Sequence, residues 1–396
     1  MGWSLHHPNG LIYYAPQSCY RGYTLYSNLW GHDANLIDME GRICHRWHLD
    51  QGIQYGYLLP NGNLLMLTGW QRPPEADQIK PGQTEGAQIP VGPVGLGGSA
   101  GSLVELDWES NVVWEYRNSF LHHDFQRLPN GNTLVLLWEA LPAELAAQVQ
   151  GGYYNDGEPE QMFGDVVQEI TSQGYVVDQW RSFEYLNFDE DVICPLENRR
   201  EWTHGNTLNV TAEGDLLVSY RSTSTIGIVD RSTGSFRWKW GPGAISHQHQ
   251  PTYLENGRIL LFDNGSHRLY PSTNYSRVIE VDPASNEVVW DYRGDPPISF
   301  YSYQISGAQR LPNGNTLICE GAPGRFFEVT PKGQIVWEYI NPLMAASGQV
   351  AGGTVSGQAN SVFRAHRYGP DHQALVGKDL DPGRYPNLNR LYASGL

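Results

Sequence analysis

The chain is short of basic residues. Among its 396 residues, 26 Lys and Arg stand against 42 Asp and Glu, which gives a formal net charge of −16. A nucleic-acid-binding protein needs a basic surface that neutralises phosphates, so this balance argues against nucleic acid as a partner. No stretch approaches the roughly 18 consecutive apolar residues of a membrane span, and the mean hydropathy is −0.45. We therefore expect a soluble protein with no membrane partner.

Cysteine is also scarce. The four cysteines are Cys19, Cys44, Cys194 and Cys319. They form no C-x-x-C pair, which argues against a zinc ribbon and against a dense disulfide scaffold. A single disulfide, for example between Cys19 and Cys44, stays open. The first residues, MGWSLHHPNG, contain neither the basic nor the apolar segment of a secretory signal. The sequence thus predicts a cytoplasmic protein, or a periplasmic one if a leader has been removed.

Nucleotide-binding fingerprints are missing as well. The Gly-rich stretch VGPVGLGGSAGS lacks the Lys-Ser/Thr ending of a P-loop and a helix pattern after it. We expect no nucleotide or other cofactor. What the chain does contain is aromatic residues (12%), with 13 Trp and 23 Tyr, together with 44 Gly and 25 Pro. This turn-rich, aromatic-rich composition favours an all-β fold.

One phrase recurs along the chain. Its copies are LLPNGNLLML from Leu58, RLPNGNTLVLL from Arg127, TYLENGRILLF from Thr252, RLPNGNTLICE from Arg310 and the weaker VTAEGDLLVS from Val210. Asn-Gly between two apolar runs predicts a tight β-hairpin, because both residues accept a positive φ. A second hairpin that closes on a Trp follows each copy, as in SLVELDWESNVVWEYR, so each unit predicts four antiparallel strands, the pattern of a propeller blade.

Five complete units and one split unit predict a six-bladed β-propeller with four-stranded antiparallel blades. Residues 21–47 and 360–378 would join as the closing blade, so that a single domain spans residues 1–396 and has no exposed sheet edge. Residues 69–101 and 139–164 are extra lengths within two blades. Both should overhang the face onto which the innermost strands begin, where propellers usually hold their sites.

Candidate site residues converge on that face. His123 and His249 each lie eight positions before a turn glycine, Gly131 and Gly257, and the third blade offers His204. Arg221 and Asn264 follow the second strands of two blades, and His366 belongs to the closing blade. Imidazoles and a guanidinium on one face of an acidic protein suit a small oxyanion such as sulfate, phosphate or carboxylate. We interpret His122 as pointing the other way along its strand, His247 as part of an incoming loop, and His267 as a surface or structural residue.

Four stretches carry a family resemblance. They are WTHGNTLNVTAEGDLLVSYRS from Trp202, HQHQPTYLENGRILLFDNG from His247, HHDFQRLPNGN from His122 and the N-terminal GYTLYSNLWGHDANLIDMEGRICHRW. Together they resemble the bacterial arylsulfotransferases, six-bladed propellers that do not use a nucleotide donor. The resemblance implies ping-pong transfer of a sulfuryl group from a phenolic sulfate ester to an acceptor phenol.

The same resemblance implies roles for individual residues. By motif position His249 would carry the sulfuryl group as a sulfohistidine, and Arg221 would neutralise its oxygens. His123 or His204 would protonate the leaving phenolate. Asn206, Asn264 and His366 are predicted to bind substrate. The sequence does not define the oligomeric state.

A metal-dependent lyase or oxidoreductase is the alternative function. His123, His204, His249 and His366 would then hold a metal ion that acts on a small, sulfur-containing metabolite. Arg221 argues against it, because its charge would repel a cation close to the cluster. A quinone-cofactor propeller and a non-catalytic scaffold are two further alternatives.

Overall fold

The chain folds almost entirely into β-strands. A computed structural model describes residues 8–69, 92–93, 95–155, 161–268, 273–346, 349–350, 353–354 and 358–393. The strands are β1 (Gly10–Tyr14), β2 (Tyr23–Asn28), β3 (Gly31–Ile37), β4 (Ile43–Leu58), β5 (Leu64–Thr68), β6 (Ser102–Leu106), β7 (Val112–Arg117), β8 (Leu121–Arg127), β9 (Thr133–Ala140), β10 (Gly151–Tyr153), β11 (Phe163–Ile170), β12 (Val176–Arg181), β13 (Ile193–Asn198), β14 (Gly205–Val210), β15 (Leu216–Tyr220), β16 (Thr225–Val229), β17 (Phe236–Trp240), β18 (His249–Tyr253), β19 (Ile259–Asp263), β20 (Arg277–Asp282), β21 (Glu287–Arg293), β22 (Gly307–Arg310), β23 (Thr316–Glu320), β24 (Arg325–Val329), β25 (Ile335–Ile340), β26 (Ala345–Ala346), β27 (Gln349–Val350), β28 (Gly353–Thr354), β29 (Gln358–Ala359) and β30 (Val362–Tyr368). The helices are α1 (Ala143–Ala146) and α2 (Pro386–Ala393), with 3₁₀ turns at Ser182–Glu184, Pro297–Ser299, Gln373–Leu375 and Pro382–Arg384.

The strands pair as successive antiparallel hairpins. Three sheets have the orders β8-β9-β11-β12, β14-β15-β16-β17 and β18-β19-β20-β21, and a fourth, β22-β23-β24-β25, carries β1 on its outer edge. The repeated turns adopt the positive φ that the Asn-Gly pattern predicts, with values of +86° at Gly131 and +79° at Gly257. The prediction of an all-β propeller with four-stranded antiparallel blades is confirmed.

A seven-stranded sheet, β30-β2-β3-β4-β5-β6-β7, joins the last strand of the chain, β30, to the N-terminal strands β2 and β3. Its long strand β4 pairs with β3 through its first half and with β5 through its second half. The C-terminal strand β30 lies antiparallel to β2, with His366 opposite Leu25. When β4 is divided between two groups, 23 of the 30 described strands form six groups of four, and β1, β10, β13 and β26 to β29 lie outside these groups.

Tryptophans link each group to the next. Each indole N–H donates to the turn between the last two strands of the following group, at 2.6 to 3.1 Å. Within the described residues these pairs are Trp47 with Asp107, Trp114 with Ser172, Trp180 with Gly234, Trp238 with Asn286, Trp290 with Pro331, and Trp337 with Met39. The last pair returns to the first group. This circle supports the count of six blades and the single domain over residues 1–396, both of which stay predictions.

The predicted insertions are described in part. Of residues 69–101, those from 70 to 91 and residue 94 lie outside the described residues. Residues 139–164 contain the short helix α1 and strand β10, which pairs in parallel with β13. All four cysteines are free thiols. No helix among the described residues is long and apolar enough to cross a membrane.

Candidate active site

Two of the candidate histidines lie near the starts of innermost strands, where the backbone is strained. His123 and His204 have positive φ values of +50° and +51°, which non-glycine residues rarely adopt. The register between the first two strands of their blades also shifts at these positions, between Leu121 and Phe125 and between Gly205 and Thr207. Such bulges re-aim side chains, and strain of this kind concentrates at functional sites.

His249 is held in one tautomer. Its Nδ1 atom lies 2.7 Å from Oδ1 of Asn264. The Asn264 amide nitrogen donates to the carbonyls of Ser302 and Ile305 at 2.8 and 2.9 Å, which fixes the orientation of the amide. Nδ1 therefore carries the proton, and Nε2 keeps a free lone pair. Burial, followed by electrostatic interaction with Arg221, His204 and Arg364, lowers the pKa of His249 to about 3, although the bond to Asn264 opposes this, so the ring is neutral at pH 7.

His204 forms a carboxylate–imidazole pair. Its Nδ1 lies 2.8 Å from one oxygen of Glu201, and the indole N–H of Trp138 donates to the other oxygen at 2.8 Å. Burial alone would raise the pKa of Glu201, but His204 and Trp138 lower it overall, so Glu201 is a carboxylate. This arrangement fixes the proton of His204 on Nδ1 and leaves Nε2 for another partner.

His123 lies against His204, with ring centroids 4.5 Å apart. Its Nδ1 is 3.0 Å from Nδ1 of His122, whose ring stacks on Trp138. Gly98 packs over His123 so closely that a Cβ there would lie 2.2 Å from the ring. Burial, together with the neighbouring histidines, lowers the pKa of His123 well below its ordinary value. His123 is therefore a neutral ring enclosed by other groups.

Two guanidinium groups, those of Arg221 and Arg364, belong to the same face of the protein as the candidate histidines. Arg221 has its Nη1 atom 2.8 Å from Oε1 of Glu197. Arg364, which the sequence analysis did not single out, donates to Asp124 at 2.9 Å and lies over the rings of Tyr55 and Phe363. A signal for Arg364 was present, because it lies two residues before His366 and therefore on the same face of β30.

The other predicted residues are buried in contacts within the protein. The Asn206 amide donates to the carbonyl of Gln248 at 2.7 Å. His366 has its Nε2 atom buried without a hydrogen-bond partner among the described residues. Burial and then the charge of Arg364 lower the pKa of His366 to about 4, which places this ring beside Arg364.

The described residues contain one group of three ligand side chains close enough to share a metal ion, and it is not the histidine ring. Its members are Cys194, His247 and His267. The alternative metal site of His123, His204, His249 and His366 is therefore not the one that the geometry assembles.

Sequence profiles identify the family. The arylsulfotransferase (ASST) profile matches residues 93–342, more than half of the chain. The chain belongs to the arylsulfotransferase family. Membership supports an arylsulfotransferase-type activity, with an aryl sulfate as donor and a phenol as acceptor. No curated protein matches the chain.

Several solved structures are similar to this family member at low sequence identity. A protein of unknown function from Bacteroides caccae is 13% identical, with a TM-score of 0.52 over 88% of this chain and 98% of its own. The selenomethionine-substituted virginiamycin B lyase from Staphylococcus aureus is 12% identical, with a TM-score of 0.40 over 86% of each chain. The hydrazine synthase of Kuenenia stuttgartiensis is 10% identical, with a TM-score of 0.44 over 84% of this chain and 79% of its own.

Asp165 lies directly behind the histidines of this arylsulfotransferase fold. One of its oxygens accepts hydrogen bonds from the Gly205 N–H at 2.6 Å and from the Thr203 hydroxyl, and the other lies 3.3 Å from Nε2 of His122. Burial raises the pKa of Asp165 to about 7 and lowers that of His122 to about 3. The pair is therefore neutral in mildly acidic solution.

We expect Asp165→Asn to change how stability depends on pH. The unfolded carboxyl loses its proton near pH 4 and the folded one near pH 7. The stability that Asp165 contributes is therefore complete below about pH 4 and is lost as the pH rises to 7. The free energy of unfolding of the variant minus that of wild type should rise by about 2–4 kcal/mol over this range.

Denaturant unfolding from pH 4 to 8 measures this difference. Asp50→Asn is the matched control, because the Asp50 side chain is 96% exposed and its variant should track wild type. The raised pKa of Asp165 would be contradicted if the free energy of unfolding of Asp165→Asn minus that of wild type stayed constant or fell as the pH rose.

Proposed function

We propose that the protein transfers a sulfuryl group from an aryl sulfate to a phenol through a covalent intermediate on His249. The contact between His249 and Asn264 is the observation that carries this proposal. It holds the proton on Nδ1 and leaves Nε2 as a neutral, unprotonated nitrogen, which is the form of imidazole that acts as a nucleophile.

In the first step Nε2 of His249 attacks the sulfur of the ester. An N–S bond forms, the S–O bond to the aryl ring breaks, and its electron pair leaves with the phenolate oxygen. In the second step the oxygen of the acceptor phenol attacks the same sulfur, the N–S bond breaks, and the neutral imidazole is restored. No oxidant, reductant or further reactant is needed.

We assign the proton transfers to His204 rather than to His123. Glu201 holds Nδ1–H of His204 at 2.8 Å and stabilises the positive charge that develops when Nε2 accepts the phenol proton. The proton that Nε2 takes from the acceptor phenol in one turnover is the proton that it gives to the leaving phenolate of the next donor, and solvent supplies it for the first turnover. His123 packs against the ring of His204 and serves to position it.

Arg221 is the group that we assign to the sulfuryl oxygens. It is close enough to His249 to disfavour protonation of that ring, and its side chain is 16% exposed. The other nearby guanidinium, Arg364, is 4% exposed and is held by Asp124. A guanidinium that faces the oxygens stabilises charge as it shifts towards the leaving phenolate.

The asparagines act through other groups in this proposal. Asn264 orients His249, and Asn206 ties β14 to the carbonyl of Gln248, directly before His249. His366 lies beside Arg364, and we keep it as a predicted substrate contact at the closing blade.

Steady-state kinetics test the covalent route. Nitrophenolate release from 4-nitrophenyl sulfate is measured at several fixed concentrations of phenol. A ping-pong route predicts release that depends on phenol, and parallel lines in double-reciprocal plots, because the donor product leaves before the acceptor binds. Intersecting lines would indicate direct transfer within a ternary complex and would contradict the intermediate.

A further inference from the structure

A second cluster of reactive side chains lies beside Arg221. Cys194 comes from β13, His247 from the loop before β18, and His267 from the loop after β19. The ligand atoms of these three residues all lie within 4.8 Å of one another. They come from parts of the chain that are up to 73 residues apart, so the fold brings them together and no local motif does.

His247 is the least expected member of the cluster. Its side chain is fully buried, and neither ring nitrogen has a hydrogen-bond partner among the described residues. A buried polar group without a partner costs about 1–3 kcal/mol. Native proteins avoid this cost unless the group has a role, and a neutral imidazole is the side chain that most commonly ligates metal ions.

Glu197 lies next to the two histidines of this cluster. Its Oε1 atom lies 3.7 Å from Nε2 of His247 and 3.5 Å from Nδ1 of His267. The Sγ atom of Cys194 is 3.6 Å from the same Nδ1. A tetrahedral zinc ion with ordinary bond lengths separates its nitrogen, oxygen and sulfur ligands by about 3.3–3.6 Å. Three measured separations therefore fall close to the edges of such a tetrahedron.

The charges are also compatible with a cation, although Arg221 is a neighbour. The Cys194 thiolate and the Glu197 carboxylate together cancel the two charges of a divalent ion. With Arg221 included, the local charge becomes +1, against 0 for the Arg221–Glu197 pair alone, so the guanidinium must turn towards solvent or towards a bound anion when the ion binds. Binding releases the thiol proton of Cys194 to solvent. Cys194 and His267 are half-buried, so the ion can reach the site from solvent.

We propose that Cys194, His247, His267 and Glu197 bind one Zn²⁺ ion. Sulfur and imidazole ligands disfavour Mg²⁺ and Ca²⁺, which prefer all-oxygen sites. The tetrahedral spacing and the carboxylate ligand favour Zn²⁺ over a trigonal copper site. The ion would fasten β13 to the loops on both sides of β18 and β19.

The site has a consequence for Arg221 that rests on the proposed function. Glu197 is the residue that holds Arg221, with Nη1 and Oε1 2.8 Å apart. A bound ion would compete for Glu197 and so turn the guanidinium towards the sulfuryl oxygens to which we assign it. Zn²⁺ is thus a positioning ion here and is separate from the bond-making steps.

Metal binding is tested on the full-length protein after chelator treatment. Zn²⁺ is titrated against a chromophoric chelator, and Co²⁺ is added in a parallel sample. The variants are Cys194→Ser and His267→Ala, because both side chains are half-buried. The matched controls are Cys19→Ser, a half-buried free thiol elsewhere, and His48→Ala, an exposed imidazole. Circular dichroism confirms that each variant is folded.

We expect one Zn²⁺ per chain in wild type and in both controls. Cys194→Ser and His267→Ala should bind at least about 100-fold more weakly, because each removes a direct ligand. The Co²⁺ form should show a thiolate charge-transfer band that Cys194→Ser loses and Cys19→Ser keeps. Wild-type protein that binds no stoichiometric Zn²⁺, or binds it as weakly as Cys194→Ser does, would overturn the proposal.

Measuring Zn²⁺ affinity distinguishes a failure of the metal site from a failure of the proposed sulfuryl transfer. His249→Ala should retain Zn²⁺ affinity, because His249 supplies no ligand atom to the cluster and its Nδ1 contacts only Asn264 and the backbone carbonyl of His247. Failure of sulfuryl transfer with intact Zn²⁺ binding would therefore count against the proposed function alone. Loss of Zn²⁺ affinity in Cys194→Ser supports the site whatever reaction the protein catalyses.

Discussion

Replacing His249 by alanine is expected to lower the rate of sulfuryl transfer from 4-nitrophenyl sulfate to phenol by at least about 10³-fold. The substitution removes the nucleophilic nitrogen, so the reaction must proceed without its covalent intermediate. Positioning of the substrates and neutralisation of the sulfuryl oxygens remain, which is why a residual rate is expected. The measurement is nitrophenolate release under saturating phenol.

His48→Ala is the matched control for this prediction. Its imidazole is 60% exposed and pairs with Asp33 at the surface, so the variant should transfer at the wild-type rate. The unfolding transition of His249→Ala shows whether lost activity reflects lost structure. A folded His249→Ala variant with near-normal transfer would contradict the assignment of the nucleophile.

Arg364→Ala is expected to lower the free energy of unfolding by about 3–5 kcal/mol. Arg364 is 4% exposed, and its guanidinium donates to Asp124 at 2.9 Å and to the carbonyl of Asn206 at 2.9 Å. The substitution leaves the Asp124 carboxylate buried with its charge uncompensated by Arg364. It also removes a cation that lies against the rings of Tyr55 and Phe363. Denaturant unfolding followed by fluorescence measures the loss.

Arg42→Ala provides the contrast. Arg42 also pairs with a carboxylate, Asp38, at 2.7 Å, but its side chain is 49% exposed. Exposed pairs of this kind contribute about 0–1 kcal/mol. If Arg364→Ala costs no more than Arg42→Ala, then the buried pair does not hold the centre of the propeller as the structure indicates.

The fold could be predicted from the sequence because its signals are local. Asn-Gly turns at Gly62, Gly131 and Gly314 impose a positive φ, and the alternating runs on each side form hairpins. A Trp near the end of each second hairpin marks each repeat. What the sequence could not reveal is the partner of each indole, because Trp337 donates to Met39 from 298 residues away.

The candidate site could be predicted only where the repeat provides a fixed position, the turn glycine, from which residues can be counted. Counting back from the turn glycines located His123 and His249, and the third blade located His204. Arg364 was not predicted as a site residue because the closing blade has no Asn-Gly turn from which to count. Its partner Asp124 is also 240 residues away in the sequence. Glu201 lies three residues before His204, yet only the fold shows that its carboxylate reaches the ring.

The cluster of Cys194, His247 and His267 illustrates the same limit. The expectation that His267 is a surface or structural residue came from its sequence context, a loop after Asp263. The burial of His247 and its proximity to Cys194 depend on contacts between distant segments of the chain. The spacing of residues in the sequence does not reveal such contacts. Metal sites built in this way cannot be recognised from a sequence motif.

The central claim is that His249 carries the sulfuryl group, and mass spectrometry tests it most directly. Purified protein without chelator treatment is incubated with 4-nitrophenyl sulfate without an acceptor, denatured, and analysed intact and as peptides. We predict one sulfuryl adduct per chain on the peptide that contains His249, discharged when phenol is added and missing from His249→Ala. An adduct on another residue, or phenol-dependent turnover by wild type without any adduct, would contradict the account.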